Sequence, residues 1–168
     1  MGAVRILVVD DEESVLRFAE TVLRAGGYDV LPAADAKQAL IILENQPEPV
    51  DILLSDVRMP GMSGPQLVKS VRESFPGTVP VFMSGHVGSE EIDPAIPIIH
   101  KPFSAPTLLQ NIQEVWACQQ DLMAQLTDRC IAGRELMRKH AILVAELRYE
   151  IAKKALGRKL GAPAGGGR

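Results

Sequence analysis

The sequence predicts an α/β fold: a doubly wound, five-stranded parallel sheet followed by a C-terminal helical extension. Three observations carry this. Strand-like and helix-like segments alternate along residues 4–118. Several strand segments are unbroken aliphatic runs, as expected where a sheet is covered on both faces. Connections of this length join parallel strands through right-handed crossovers. In such sandwiches ligands sit at the carboxyl ends of the strands.

Residues 4–10, VRILVVD, form the first strand. Val15, Ala19, Val22 and Leu23 follow at helical spacing, and Gly26-Gly27 stop that helix. YDVLPAA (28–34) is a weaker strand, and Pro32 within it argues for an edge or near-edge place. Asp35 caps a helix carrying Ala39, Leu40, Ile42 and Leu43, which the Pro47/Pro49 stretch ends. VDILLSD (50–56) is the third strand. Ser63 opens the next helix, with Pro65 in its first turn and Gln66 placed for a capping box. VPVFMSG (79–85) and IPIIHKPF (96–103) are the fourth and fifth strands. A last helix starts near Ser104 and runs through Leu108, Leu109, Ile112, Val115 and Trp116.

Length and composition suit one domain plus an appendage, with residues 1–119 as the domain, 120–160 as a helical extension and 161–168 as a flexible tail. Hydrophobic residues make up 46% but aromatics only 4%, so the core must be mostly Val, Ile, Leu and Ala. No apolar run reaches the roughly 18 residues of a membrane span. The N-terminus MGAVRILVVDD does not read as a signal peptide, because acids follow its short apolar stretch. Cys118 and Cys130 lie in a helical-looking stretch, too far apart to bridge within one straight helix. With no disulfide framework or zinc pattern, the expected compartment is a reducing cytoplasm. The net charge of −3 hides an asymmetry. Residues 1–128 hold 8 Lys/Arg against 18 Asp/Glu, a net of −10, and residues 129–168 hold 10 against 3, a net of +7.

The polar residues that break the strand pattern fall at one edge of the predicted sheet. Asp10-Asp11 end the first strand, Asp56 the third, Ser84 the fourth and Lys101 the fifth. Singly each has an ordinary reading: a solvated loop or helix cap for the aspartates, a turn at Ser84-Gly85, a surface lysine before a proline. Together they describe a site. Three converging carboxylates repel one another, and without a cation one would have to protonate. Oxygen ligands of this kind suit Mg²⁺, a hard ion that keeps several waters. With two carboxylates holding the metal, a third can act as nucleophile toward a phosphoryl group whose other oxygens meet an ammonium and a hydroxyl. The product is an acyl phosphate on Asp56.

The blocks VVDDE, LLSDVRMPGMSG, VFMSG and KPF resemble, in order and spacing, those of the receiver domains of two-component response regulators. The resemblance covers roughly residues 4–118. It implies a flavodoxin-like (βα)5 fold with strand order 2-1-3-4-5. It also implies that Asp56 accepts phosphate, Asp11 ligates Mg²⁺ directly, Asp10 helps through water, and Asp56 and the backbone carbonyl of Arg58 complete the metal set. Ser84 would follow the phosphoryl group, Lys101 would pair with it, and Lys101–Pro102 would be a cis peptide. The implied partner is a sensor histidine kinase or phosphotransfer protein, with acetyl phosphate as a small-molecule substitute. Arg58 and His86 occupy the places where the family tunes access of water, and His86 as a catalytic base is a secondary reading.

Two regions depart from the family. Between Ser84 and Lys101 lies GHVGSEEIDPAIPIIH, interrupted by Pro94 and Pro97, where most receivers carry a full fourth helix. Ser89 could cap a turn through Glu90, Glu91 and Ile92, but little helix fits before Asp93-Pro94. Three residues before the lysine, Ile98 replaces the usual aromatic switch. Either activation travels another way, or the domain is a phosphate relay or sink.

Beyond Gln119 the resemblance stops. The stretch reads as one or two helices with a wide apolar stripe: Leu122, Leu126, Leu136, Met137, Leu143, Val144, Leu147 and Ile151. A continuous helix would expose that stripe, so the sequence predicts a fold-back near Gln119–Asp121 or at Gly133, or a homodimer through the helix, and of these the homodimer is the expectation. The basic tail shows no helix-turn-helix or winged pattern, so a solvated basic face is expected rather than a nucleic-acid site. His140 lacks the neighbours of a phosphotransfer histidine. The expected protein is not an enzyme in the usual sense. It is a response regulator signalling through protein contacts of its C-terminal helix. DNA-binding regulation and an inert scaffolding role are the alternatives.

Overall fold

The computed structural model describes residues 3–85 and 92–160, with side chains described up to Lys139 and at Ile142 and Leu143. The elements run β1 (Arg5–Val9), α1 (Glu13–Ala25), β2 (Asp29–Ala33), α2 (Ala36–Asn45), β3 (Ile52–Asp56), α3 (Gly64–Ser74), β4 (Val79–Ser84), β5 (Ile98–His100) and α4 (Ala105–Leu160). The sheet has five parallel strands in the order β2-β1-β3-β4-β5, as expected from the sequence.

Both faces of the sheet are covered because side chains alternate along each strand. Leu7, Val9, Leu53 and Phe82 pack with Ala39 and Leu43 of α2 and Leu67, Val68 and Val71 of α3. Ile6, Val8, Ile52, Leu54, Val81 and Met83 pack with Ala19, Val22 and Leu23 of α1 and Leu108 and Ile112 of α4. Two cores on opposite faces therefore require the continuous aliphatic runs of β1 and β3. At 25 cal/mol per Å² of apolar area, each fully buried Leu or Ile stabilises the fold by about 1.5–3 kcal/mol.

Local chemistry sets the helix ends. α1 stops at Gly26-Gly27, where Gly27 takes a φ of +90° that a side chain would resist. Asp35 caps α2, its Oδ1 accepting from the Gln38 N–H at 2.7 Å. In α3, Gln66 Oε1 accepts from the Ser63 N–H at 3.0 Å, and Pro65 stands in the first turn. Pro32 lies in β2, the edge strand.

One expectation is corrected. β5 is only Ile98–His100 rather than the whole of 96–103, since Pro97 and Pro102 flank it and neither has an N–H for the ladder. Among the described residues no helix separates β4 from β5. Residues 86–91, which include His86, Ser89, Glu90 and Glu91, lie outside the described residues, as does the tail 161–168. Neither place offered for a fold-back interrupts the last helix: the backbone is helical through Gln119–Asp121 and through Gly133. A single glycine costs a helix only about 1 kcal/mol, too little to end one. The chain divides into two compact units, Met1–Gln119 and Gln120–Arg168. No described helix is long and apolar enough to cross a membrane.

Candidate functional site

The parallel register brings the strand ends to one edge. Asp10 follows β1, Asp56 is the last residue of β3, Ser84 the last of β4, and Lys101 follows β5. Asp56 is level with Met83, and Ser84 with His100. The Lys101 N–H donates to the Ser84 carbonyl at 2.7 Å, fixing the backbone from which the lysine side chain departs. The Lys101–Pro102 peptide is cis.

The Lys101 ammonium joins two acids. Its Nζ lies 2.6 Å from Asp10 Oδ2 and 2.6 Å from Asp56 Oδ1. Asp10 is 1% exposed and Asp56 7%, so both carboxylates are nearly out of water and need partners. Each also uses its second oxygen on the backbone two residues ahead. The Glu12 N–H donates to Asp10 Oδ1 at 3.0 Å, and the Arg58 N–H donates to Asp56 Oδ2 at 2.7 Å. Ser84 is buried beside them.

These contacts set the charges. Burial raises the pKa of Asp10 above its ordinary value, with Lys101 and the Glu12 N–H opposing and the Asp56 charge adding to the rise. Burial alone would lower Lys101, but its hydrogen bonds to Asp10 and Asp56 outweigh that, and its pKa is raised. The ammonium is therefore held fully charged at neutral pH.

A cavity of about 440 Å³ opens over this cluster, lined by Asp10, Asp11, Asp56, Glu12, Arg58 and Lys101. Asp11 is exposed at its rim. The structure thus brings Asp10, Asp56, Lys101 and Ser84 together, with Asp11 and Arg58 facing the same space. Among the described residues no three acidic, His or Cys side chains are gathered closely enough to hold a metal ion as they stand. The cation between Asp10 and Asp56 is the lysine.

Sequence reasoning missed two supports. Glu12 supplies an N–H to Asp10, for which the signal is the Asp-x-x turn habit of a short carboxylate. Gly64 packs where a Cβ would collide with the Asp56 carbonyl oxygen, and its N–H donates to the Val57 carbonyl at 3.0 Å. The loop after β3 can close over the strand end only with glycine there. A second cavity of about 450 Å³ adjoins the first across Lys101, walled by Val15, Phe18, Pro102 and Phe103, with the two phenylalanine rings 6.1 Å apart.

Comparison with known proteins places these features in context. The sequence pattern of the response regulator receiver domain matches residues 6–113. The chain is 34% identical over 119 residues to the sensor kinase CckA of Brucella abortus, a match covering 68% of this chain and 13% of that protein. Among solved structures, the receiver domain of the hybrid histidine kinase CckA superposes with a TM-score of 0.59 at 39% identity, covering 66% of this chain and 97% of that one. The chemotaxis protein CheY4 of Vibrio cholerae superposes with a TM-score of 0.62 at 31% identity, covering 68% and 99%. The chain spans less than half the length of the curated relatives it matches.

Proposed function

This chain belongs to the response regulator receiver domain family, and from that premise we propose that it is a Mg²⁺-dependent phospho-acceptor that signals by protein contacts. Receiver domains are signalling modules rather than enzymes in the usual sense, and phosphorylation with Mg²⁺ is general to them. The observation that supports this for the chain at hand is the buried Asp56, at a strand end, paired with Lys101 at 2.6 Å and facing a cavity.

In this reading a phosphoryl group moves from a phosphohistidine nitrogen of a sensor kinase or phosphotransfer protein, or from the acetyl oxygen of acetyl phosphate. The bond from phosphorus to the donor breaks with its electron pair going to the donor, and a new P–O bond forms to a carboxylate oxygen of Asp56. Lys101, kept charged by its carboxylate neighbours, offsets the negative charge of the transferred oxygens. The Ser84 hydroxyl stands at the adjacent strand end to receive one of them.

The donor types suit Mg²⁺, although the acids would have to draw together from their present positions to hold it. Asp10, Asp11, Asp56 and the carbonyl of Arg58 are all hard oxygen donors, and the cavity leaves room for the waters this ion retains. Bound there, the ion would neutralise the carboxylates and the incoming phosphoryl oxygens. The buried Asp10 would act through water and the exposed Asp11 directly.

Output is assigned to the helical unit, acting in the cytoplasm as a homodimer. Nucleic acid is not the assigned partner, because the basic residues from Arg129 to Lys159 lie on a helix without a recognition module. Intact-mass measurement with acetyl phosphate and Mg²⁺ tests the acceptor. One added phosphate is expected on the wild type and none on Asp56→Asn, and equal labelling of both would overturn the reading.

A further inference from the structure

One buried polar side chain beside Asp56 has no part in the site described above. β3 runs Ile52, Leu53, Leu54, Ser55, Asp56, and Ser55 is fully buried in this otherwise aliphatic run. Alternation along the strand puts it on the face of Leu53, which packs with α2 and α3. A hydroxyl in that place has given up water and needs a partner. Ser55 Oγ finds it next door, donating to the Asp56 carbonyl oxygen at 2.9 Å.

We propose that Ser55 is a positioning residue for phosphoryl transfer to Asp56, acting through the peptide that follows the acceptor. The proposal rests on the reading of Asp56 as acceptor and adds what keeps its carboxylate aimed. Two successive peptide planes leave Asp56, and each is fastened at both ends. In the first, the Asp56 carbonyl accepts from Ser55, and the Val57 N–H donates to the Met83 carbonyl at 3.1 Å. In the second, the Val57 carbonyl accepts from the Gly64 N–H at 3.0 Å, and the Arg58 N–H donates to Asp56 Oδ2 at 2.7 Å. That last bond returns to the acceptor carboxylate. A tilt of the first plane is therefore carried through the second to Oδ2.

The other three fastenings use backbone atoms or the acceptor's own side chain. Ser55 supplies the one that another side chain makes, so a substitution can remove it and leave the carboxylates and Lys101 in place. A residue needed there only for its size could be alanine, which has no hydroxyl to desolvate. Without the hydroxyl, the Asp56 carbonyl loses a donor in a buried place. Gly64 packs so closely on that oxygen that the peptide has no room to turn toward α3. Its relaxation must be the other way, and the Arg58 N–H moves with it.

Labelling of the full chain by acetyl phosphate with Mg²⁺, and amide NMR of the metal-free chain, test this. Ser55→Ala should be labelled about threefold to tenfold more slowly than the wild type, the net worth of one hydrogen bond carried into the barrier. Its Arg58 amide proton should move upfield as the bond to Oδ2 lengthens. Thr78→Val is the control. Thr78 Oγ1 also donates from a buried position to a backbone carbonyl, that of Val50 at 2.9 Å, but just before β4, at the opposite edge of the sheet. Thr78→Val should lower the urea midpoint about as much as Ser55→Ala, yet leave the labelling rate and the Arg58 amide unchanged. Wild-type labelling of Ser55→Ala, an unmoved Arg58 amide, or equal slowing in Thr78→Val would overturn the positioning role while leaving Asp56 as acceptor. A wild type that takes no phosphate would overturn the acceptor reading and the positioning role with it.

Discussion

Lys101 and Asp56 meet across a strand that belongs to neither. Nζ lies 2.6 Å from Oδ1, yet Asp56 ends β3 and Lys101 follows β5, with β4 between them in the sheet. The lysine side chain crosses the end of β4, where Ser84 sits, and continues to Asp10 beyond β3. One ammonium thus spans the active edge of the sheet.

Removing that ammonium should be costly. Lys101→Met leaves two nearly buried carboxylates without their shared counter-ion, and the expected loss is about 3 kcal/mol at neutral pH without metal. Urea unfolding measures it. A loss within a few tenths of a kcal/mol would mean that the pairing contributes little in solution.

Asp10→Asn should do the opposite. Burial raises the Asp10 pKa, so at neutral pH its ionised form costs folding free energy. That cost is present above the raised folded value and disappears as pH falls through it. The metal-free variant should therefore melt above the wild type at pH 7, with the gap closing toward acid pH. Thermal melts across that range check the sign.

Mg²⁺ affinity should fall more in Asp11→Ala than in Asp10→Ala. Asp11 is exposed at the cavity rim, whereas Asp10 is already engaged by Lys101 and the Glu12 N–H. Trp116 packs on the α1/α4 core and does not line the cavity, so calorimetry is the appropriate readout. Unchanged affinity in Asp11→Ala would contradict the assignment.

Gly64→Ala should destabilise by about 1–3 kcal/mol and slow phosphorylation of Asp56. The added methyl meets the Asp56 carbonyl oxygen, a backbone atom that cannot rotate away. Unfolding and labelling rates measured together should change together, because one displacement causes both.

Much of this architecture is legible in the sequence because it is written in short-range chemistry. The aliphatic runs of β1 and β3, the Asp35 cap, the Ser63/Gln66 box and the edge position of Pro32 each depend on residues a few places apart, and the structure carries all of them. Grouping Asp10, Asp56, Ser84 and Lys101 needed only the rule that parallel strands share a carboxyl edge. The lysine bridge was not legible, because it joins residues 91 and 45 positions apart and depends on side-chain reach. The shortness of β5 was missed, and the choice between one helix and two at Gly133 was left open, for another reason. There, flanking prolines or a lone glycine shift a balance of about 1 kcal/mol, which pattern reading does not resolve.

The Asp56 carboxylate has two oxygens and two obligations. One oxygen holds the Lys101 ammonium, and the other holds the Arg58 amide at the start of the loop that Gly64 closes. A covalent bond formed at either oxygen weakens one of these ties. If Asp56 is the acceptor proposed above, loading it would disturb either the lysine side or the loop side, as a contact in a two-pole relay would. A chemical event on one atom would thus register as a change in what the backbone at Arg58 is fastened to.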